Sequence, residues 1–122
     1  MPVRIRAKNR ISGTVTPSSL NTETDLINLS DQSDDFILEG LIDLSALASG
    51  DTVVIKVYVA ADGTNQRLVD QATFNGPLSI PVVRIPAVTL PYNSKPRVTI
   101  TQTSGTLRSV PYVFIQQIME VI

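Results

Sequence analysis

The stretch from Asp43 to Gly63, DLSALASGDTVVIKVYVAADG, limits what this chain can fold into more than any other. A polar lead-in and a Ser49-Gly50-Asp51 turn precede Val53, Val54, Ile55, Val57, Tyr58 and Val59, with Lys56 as the single charge among them. β-Branched and aromatic side chains suit a pleated, half-buried surface better than a helix. The run closes at Asp62-Gly63, a pair that accepts the positive φ of a tight turn, so Thr52–Ala60 and Arg67–Phe74 are expected to form a hairpin. The stretch holds no obvious nucleophile, metal ligand or phosphate cradle. It constrains architecture without supplying chemistry.

The remaining segments extend the same pattern. Val3, Ile5 and Ala7 alternate with Arg4, Arg6 and Lys8, which is strand periodicity with one basic face. Ile11–Thr16 reads as a second short strand or as a continuation past a kink at Gly13. Thr22–Leu29 alternates except at the apolar pair Leu26-Ile27, and Phe36–Leu44 reads as a strand kinked at Gly40. Leu44, Leu47 and Ala48 fall at helical spacing and predict a short helical turn over Ser45–Ser49.

Pro81, Pro86, Pro91 and Pro96 recur every five residues. Proline donates no ladder hydrogen bond and is confined to edges, strand starts and bulges. Val82–Ile85 and Ala87–Leu90 are therefore expected as short edge-type strands or extended connections. Arg97–Thr103 alternates cleanly, Ser104-Gly105 turns the chain, and Tyr112–Ile115 is the last clear strand. Gln116–Ile122 either pairs as a strand or forms one helical turn. Short strands with turn signals about every 8–12 residues predict an all-β chain. The expected fold is a single two-sheet β-sandwich over residues 1–122, jelly-roll in type, with an immunoglobulin-like sandwich as the alternative and residues 1–10 as a basic N-terminal strand or arm.

Composition bears on function mainly by exclusion. With 122 residues the chain is one domain by length. It has no histidine and no cysteine, so Ser-His-Asp and Cys-His catalysis are excluded and the commonest metal ligands are missing. The chain is therefore read as non-enzymatic, with no cofactor and no metal. Asp31, Asp34 and Asp35 offer carboxylate oxygens to a hard cation, but they lack the spacing of a calcium loop and any following bidentate Glu, and they read as a solvated turn. Paired carboxylates also serve glycoside hydrolysis, yet clefts for sugars are lined by aromatic side chains, and here Trp is absent and aromatics are 5%. No secretory leader is visible and no run approaches the ~20 apolar residues of a membrane span. The expectation is a soluble product with no membrane partner.

Charge is segregated. Arg4, Arg6, Lys8 and Arg10 stand in the first ten residues, whereas residues 21–51 carry eight acids and no base. The basic stripe reads either as a solvated face or as a contact for a negative partner. Net charge of −1 and six aromatic residues argue against nucleic acid and for the acidic region of a neighbouring copy. The proline-rich edge, with Pro81, Pro86 and Pro91, and the apolar C-terminus, with Met119 and Ile122, are further candidate protein contacts. The prolines read equally as guards against edge pairing.

Three segments carry a family resemblance: IDLSALASGDTVVI at 42–55, Asp62-Gly63, and VTITQTSGTLRSVPY at 98–112. Over about residues 40–115 the chain resembles small structural proteins of tailed phages and archaeal viruses. The resemblance implies a virion location and a homo-oligomer that contacts a major capsid protein as a decoration, cement or minor capsid component. A tail or turret component is an alternative within that reading. From another class, a β-sandwich module that binds a carbohydrate or other ligand is the alternative. The family brings no catalytic residues.

Overall fold

A computed structural model describes residues 2–122. They form eight strands: β1 (Val3–Val15), β2 (Thr24–Asn28), β3 (Phe36–Asp43), β4 (Thr52–Val59), β5 (Arg67–Asn75), β6 (Val82–Leu90), β7 (Arg97–Ser104) and β8 (Val110–Val121). Two four-stranded antiparallel sheets result, ordered β1-β8-β3-β6 and β2-β7-β4-β5. Packed face to face, they make the expected β-sandwich. The order is that of a jelly roll: the chain doubles back at the β4–β5 turn, and its two arms pair 4 with 5, 3 with 6, 2 with 7 and 1 with 8. An immunoglobulin-like order does not place the first strand beside the last in this way.

The core lies between the sheets. Phe36, Ile42, Val53, Ile100 and Phe114 alternate inward from the central strands and are fully buried, and Leu44 joins them from the loop after β3. The hairpin forms as the sequence predicts, with Thr52 opposite Asn75 and Val59 opposite Arg67. Gly63 takes φ +78 at its turn, where Asp62 accepts the N–H groups of Thr64 and Asn65 at 2.9 and 2.7 Å.

Irregularities in the sequence pattern become irregularities in the ladders. Leu26 and Ile27 both face the core because the β2–β7 register shifts between Asp25 and Ile27. The expected kink at Gly40 is a register shift against β6 between Leu38 and Gly40. Ile85 pairs with Gly40 and Val88 with Leu38, so Pro86 sits in the bulge, where its missing N–H breaks no bond. Val82–Leu90 is accordingly one edge strand rather than two short ones.

Two expectations are corrected and one open choice is decided. β1 is a single strand that runs through Gly13, which lies opposite Tyr112; a Cβ there would come within 3.1 Å of the tyrosine hydroxyl oxygen, so the glycine answers a close approach rather than a kink. Ser45–Ser49 is not helical. It lies across two turns, closed by Leu47 N–H to Leu44 O at 3.2 Å and Asp51 N–H to Ala48 O at 3.0 Å. The helix-like spacing arises because Leu44 and Leu47 both reach the core while Ala48 stays exposed. Of the two alternatives for the C-terminus the strand is the one formed: residues after Ile115 continue β8 to Val121, and Ile118 enters the core.

Candidate functional site

β5 and β6 are the edge strands on one side of the sandwich, with β1 and β2 on the other, and the sandwich is open between β5 and β6. The opening is an apolar groove of about 470 Å3. Ile55, Val57 and Val59 of β4 line it with Ala72 and Phe74 of β5 and Val83, Ile85, Val88 and Leu90 of β6; Asp70, Gln71 and Arg84 add polar groups. Both edges are irregular there: β6 bulges at Pro86, and the β4–β5 register shifts between Val57 and Tyr58, leaving Val69 unpaired. Along β5 only Phe74 is part-buried, and Leu68 and Val69 are 49% and 65% exposed. Ile80, in the loop that joins the two edges, is 81% exposed. An open groove lined by exposed apolar side chains such as Val69 and Val88 is a candidate interaction surface. The chemistry on offer is apolar contact plus the unpaired backbone groups of two edges.

The nine residues singled out from sequence do not form one surface. Arg4, Arg6, Lys8, Arg10, Met119 and Ile122 belong to the β1–β8 edge, whereas Pro81, Pro86 and Pro91 lie along β6 at the opposite edge of the same sheet. Arg4 Nε pairs with Glu120 Oε1 at 2.6 Å, and Arg6 reaches Glu120 Oε2 at 3.9 Å and donates to Ser33 Oγ. Lys8 and Arg10 make no ion pair among the described residues. Met119 is half-buried and donates its N–H to Asp35 O at 3.0 Å, while Ile122 is exposed and donates to Pro2 O at 3.0 Å. Pro81 and Pro91 offer carbonyls to Leu44 N–H at 2.9 Å and Ser94 N–H at 3.1 Å, closing the loops at either end of β6. Sequence reasoning missed Val69, Phe74, Ile85 and Val88 as groove residues. Their only advance signal was the proline spacing, which identified an edge.

The acids at 31–35 are engaged locally. Asp31 pairs with Lys95 Nζ at 2.9 Å, and Asp35 Oδ1 accepts Tyr92 N–H at 2.9 Å. A second, polar recess of about 660 Å3 lies at this end of the sandwich, between Asn28, Ser30, Thr64, Asn65, Gln66, Arg67 and Lys95.

The segments 42–55 and 98–112 meet at Asp51. This carboxylate is 1% exposed and accepts Ala48 N–H at 2.8 Å, Thr106 N–H at 2.9 Å and Arg108 Nε–H at 2.6 Å. Buried Gln102 completes the knot: its Nε2 donates to Ser104 O and Thr106 O at 3.0 and 2.6 Å, and its Oε1 accepts Arg108 N–H at 3.2 Å. The Ala48 hydrogen bond lowers the Asp51 pKa; burial opposes it, and Arg108 and Thr106 reinforce it. With its oxygens taken, Asp51 is a structural clamp on the β7–β8 loop.

Other carboxylates are lowered too: Asp62 by the Asn65 and Thr64 N–H groups, and Asp43 by Ser45. Burial works to raise Glu23, but hydrogen bonds from Thr99 and Tyr58 and the charges of Arg97 and Lys56 outweigh it. A carboxylate lowered on folding adds stability above its unfolded pKa and gives it up as pH falls through the folded value. With no histidine to titrate, the thermal midpoint is expected to stay flat from about pH 8 to about pH 5 and to fall below about pH 4. Melts followed by circular dichroism check this, and a step near neutral pH would contradict it.

No protein-family model matches the sequence, and neither does any curated protein. Among solved structures the chain is similar to the infectious bursal disease virus VP2 subviral particle, with 12% identity and a TM-score of 0.49. The match covers 95% of this chain and 33% of that one, so this chain spans about a third of the VP2 chain's length.

Proposed function

We propose that this chain is a non-enzymatic structural protein of a virion, which associates with copies of itself and docks on a capsid shell. The observation that carries the reading is the open β5–β6 edge, an apolar groove set between two free strands with no reactive side chain beyond Asp70 and Arg84 in its lining. A jelly-roll order and the resemblance at 42–55 and 98–112 support it. Contact of this kind draws its strength from apolar burial, with exposed charges adding about 0–1 kcal/mol per pair and setting orientation. Decoration, cement, minor capsid, tail and turret roles would each be served by such a surface, and the component that binds at the groove would distinguish them.

The test is co-sedimentation with empty capsid shells, combined with light scattering of the free chain. Wild-type chain is expected to pellet with shells, and Val88→Asp, at the groove, to stay in the supernatant while keeping its β circular-dichroism spectrum. A chain that is monomeric at high concentration and never pellets would overturn the reading. The polar recess around Asn28, Asn65, Gln66 and Lys95 favours a second reading, a binding module for a carbohydrate or another polar ligand. A glycan array showing binding that Asn65→Ala abolishes would establish that instead.

A further inference from the structure

We infer that the outer face of the β1-β8-β3-β6 sheet pairs with the same face of a second copy, across a two-fold axis parallel to the strands above β8, with Arg10 opposite the partner's Glu39. The inference deepens the self-association in the reading above and rests on that reading for its role. It starts from one cross-strand row. Arg10 lies opposite Ile115, and Ile115 lies opposite Glu39, so the three residues cross β1, β8 and β3 on one face. Phe114 and Gln116 are buried, so Ile115 between them points outward.

Among the described residues, half of the ten bases make an ion pair within the chain, and this face carries three of the five that do not, Lys56 and Arg67 of the other sheet being the rest. Arg4, Arg6, Lys95, Arg97 and Arg108 all have carboxylate partners within the chain. Among the described residues Lys8, Arg10, Glu39 and Arg84 have none. Two strand spacings, about 10 Å, separate the backbones of Arg10 and Glu39, with Ile115 between them. Sheets stacked face to face are also about 10 Å apart. A rotation about an axis along β8 exchanges the β1 and β3 columns without shifting the rows. It therefore sets Arg10 against Glu39 twice, with Ile115 on Ile115 and Val113 on Val113. The same rotation places Ser12 against Leu41, which is 45% exposed.

Apolar contact is available to hold such a pair. Leu41 and Val113 border two shallow depressions of about 240 and 250 Å3, one reaching Ile115 and the other reaching Val82 and Pro111. The Arg10–Ile115–Glu39 row runs base, apolar, acid, an order that is complementary to itself under a two-fold rotation, while the adjacent row sets Lys8 against the partner's Ile37. Nucleic acid does not fit this order, because Glu39 stands in the third column. The charges set register and the apolar stripe supplies the attraction.

Sedimentation equilibrium of the wild-type chain tests the inference. A dimer at micromolar concentration is expected. Glu39→Arg or Arg10→Glu alone is expected to weaken dimerisation by about tenfold or more, and the double reversal to restore it to within about threefold of wild type. Unchanged thermal midpoints show that each variant folds. A wild-type monomer, a larger oligomer indifferent to Arg10→Glu, or a double reversal that stays dissociated would overturn the pairing. A monomer that still pellets with shells overturns the pairing and leaves shell docking standing; a dimer that obeys the reversals but never pellets does the opposite.

Discussion

Asp51→Ala is expected to lower the thermal midpoint by about 10 °C. Three donors lose one acceptor: Ala48 N–H, Thr106 N–H and the Arg108 guanidinium, which is itself largely covered. A buried group deprived of its partner keeps its desolvation cost without the compensating bond, which makes removing one member of such a cluster costly. Gly105→Ala attacks the same knot from the other side. Its φ is +89, and a Cβ would meet Asp51 Oδ1 and approach Asp51 Cα to 2.7 Å, so the backbone must move. The two variants are expected to be strongly non-additive, because either one alone frees the β7–β8 loop. Calorimetry on the single and double variants measures this. A midpoint within about 2 °C of wild type for Asp51→Ala would show that Gln102 alone holds the loop.

The second large effect sits in the core. Gly40→Ala is expected to cost about 3 kcal/mol, at the upper end for a core that receives one carbon too many. Gly40 is buried on β3 directly opposite Phe114 of β8, and an added Cβ would overlap Cδ2 and Cε2 of the phenyl ring and come within 2.9 Å of its Cγ. Phe114 is fully buried among core side chains and has nowhere to turn. If the ring is the cause, the penalty should shrink when the ring goes. Phe114→Leu is itself destabilising, yet Gly40→Ala made in that background is expected to cost less than about 1 kcal/mol. Urea denaturation of the four chains in the cycle reads both numbers. Equal costs in the two backgrounds would mean that the bulge against β6, and not Phe114, demands glycine.

What could be read from sequence, and what could not, divides along physical lines. The hairpin across Asp62-Gly63 was legible because turn chemistry and alternation are local. Leu26-Ile27 and Gly40 were legible as irregular points, and each proved to be a register shift, since a broken alternation has to be absorbed by the ladder. The proline spacing correctly marked an edge. Which strand lies beside which was not legible, because strand order depends on partners far away in the chain. Leu44, Leu47 and Ala48 imitated a helix because two successive turns also return side chains to the core at intervals of three. The groove was invisible for a similar reason. Val69 and Phe74 look like ordinary strand residues, and only the irregular β5 and β6 edges and the gap between them leave those side chains lining an open groove. The basic stripe was read as a unit, yet Glu120 engages Arg4 and Arg6 and leaves Lys8 and Arg10 as the pair that faces outward.

The strand order has a consequence for how the chain comes into being. Every ladder in both sheets joins a strand from β1–β4 to one from β5–β8: β1 to β8, β8 to β3, β3 to β6, β2 to β7, β7 to β4 and β4 to β5. Neither half contains a single pair of neighbouring strands. During synthesis the first half therefore has nothing to fold against until the Asp62-Gly63 turn has emerged and β5 follows it, and the strand made first must wait for the strand made last. Sheets assembled from such distant pairings form slowly. A chain cut within that turn would yield two pieces, each without a native ladder of its own, that acquire structure only by interleaving. The fold is in this sense a zipper whose teeth are shared equally between its two sides, and the break at residues 62–63 is its natural seam for a split, self-reassembling protein.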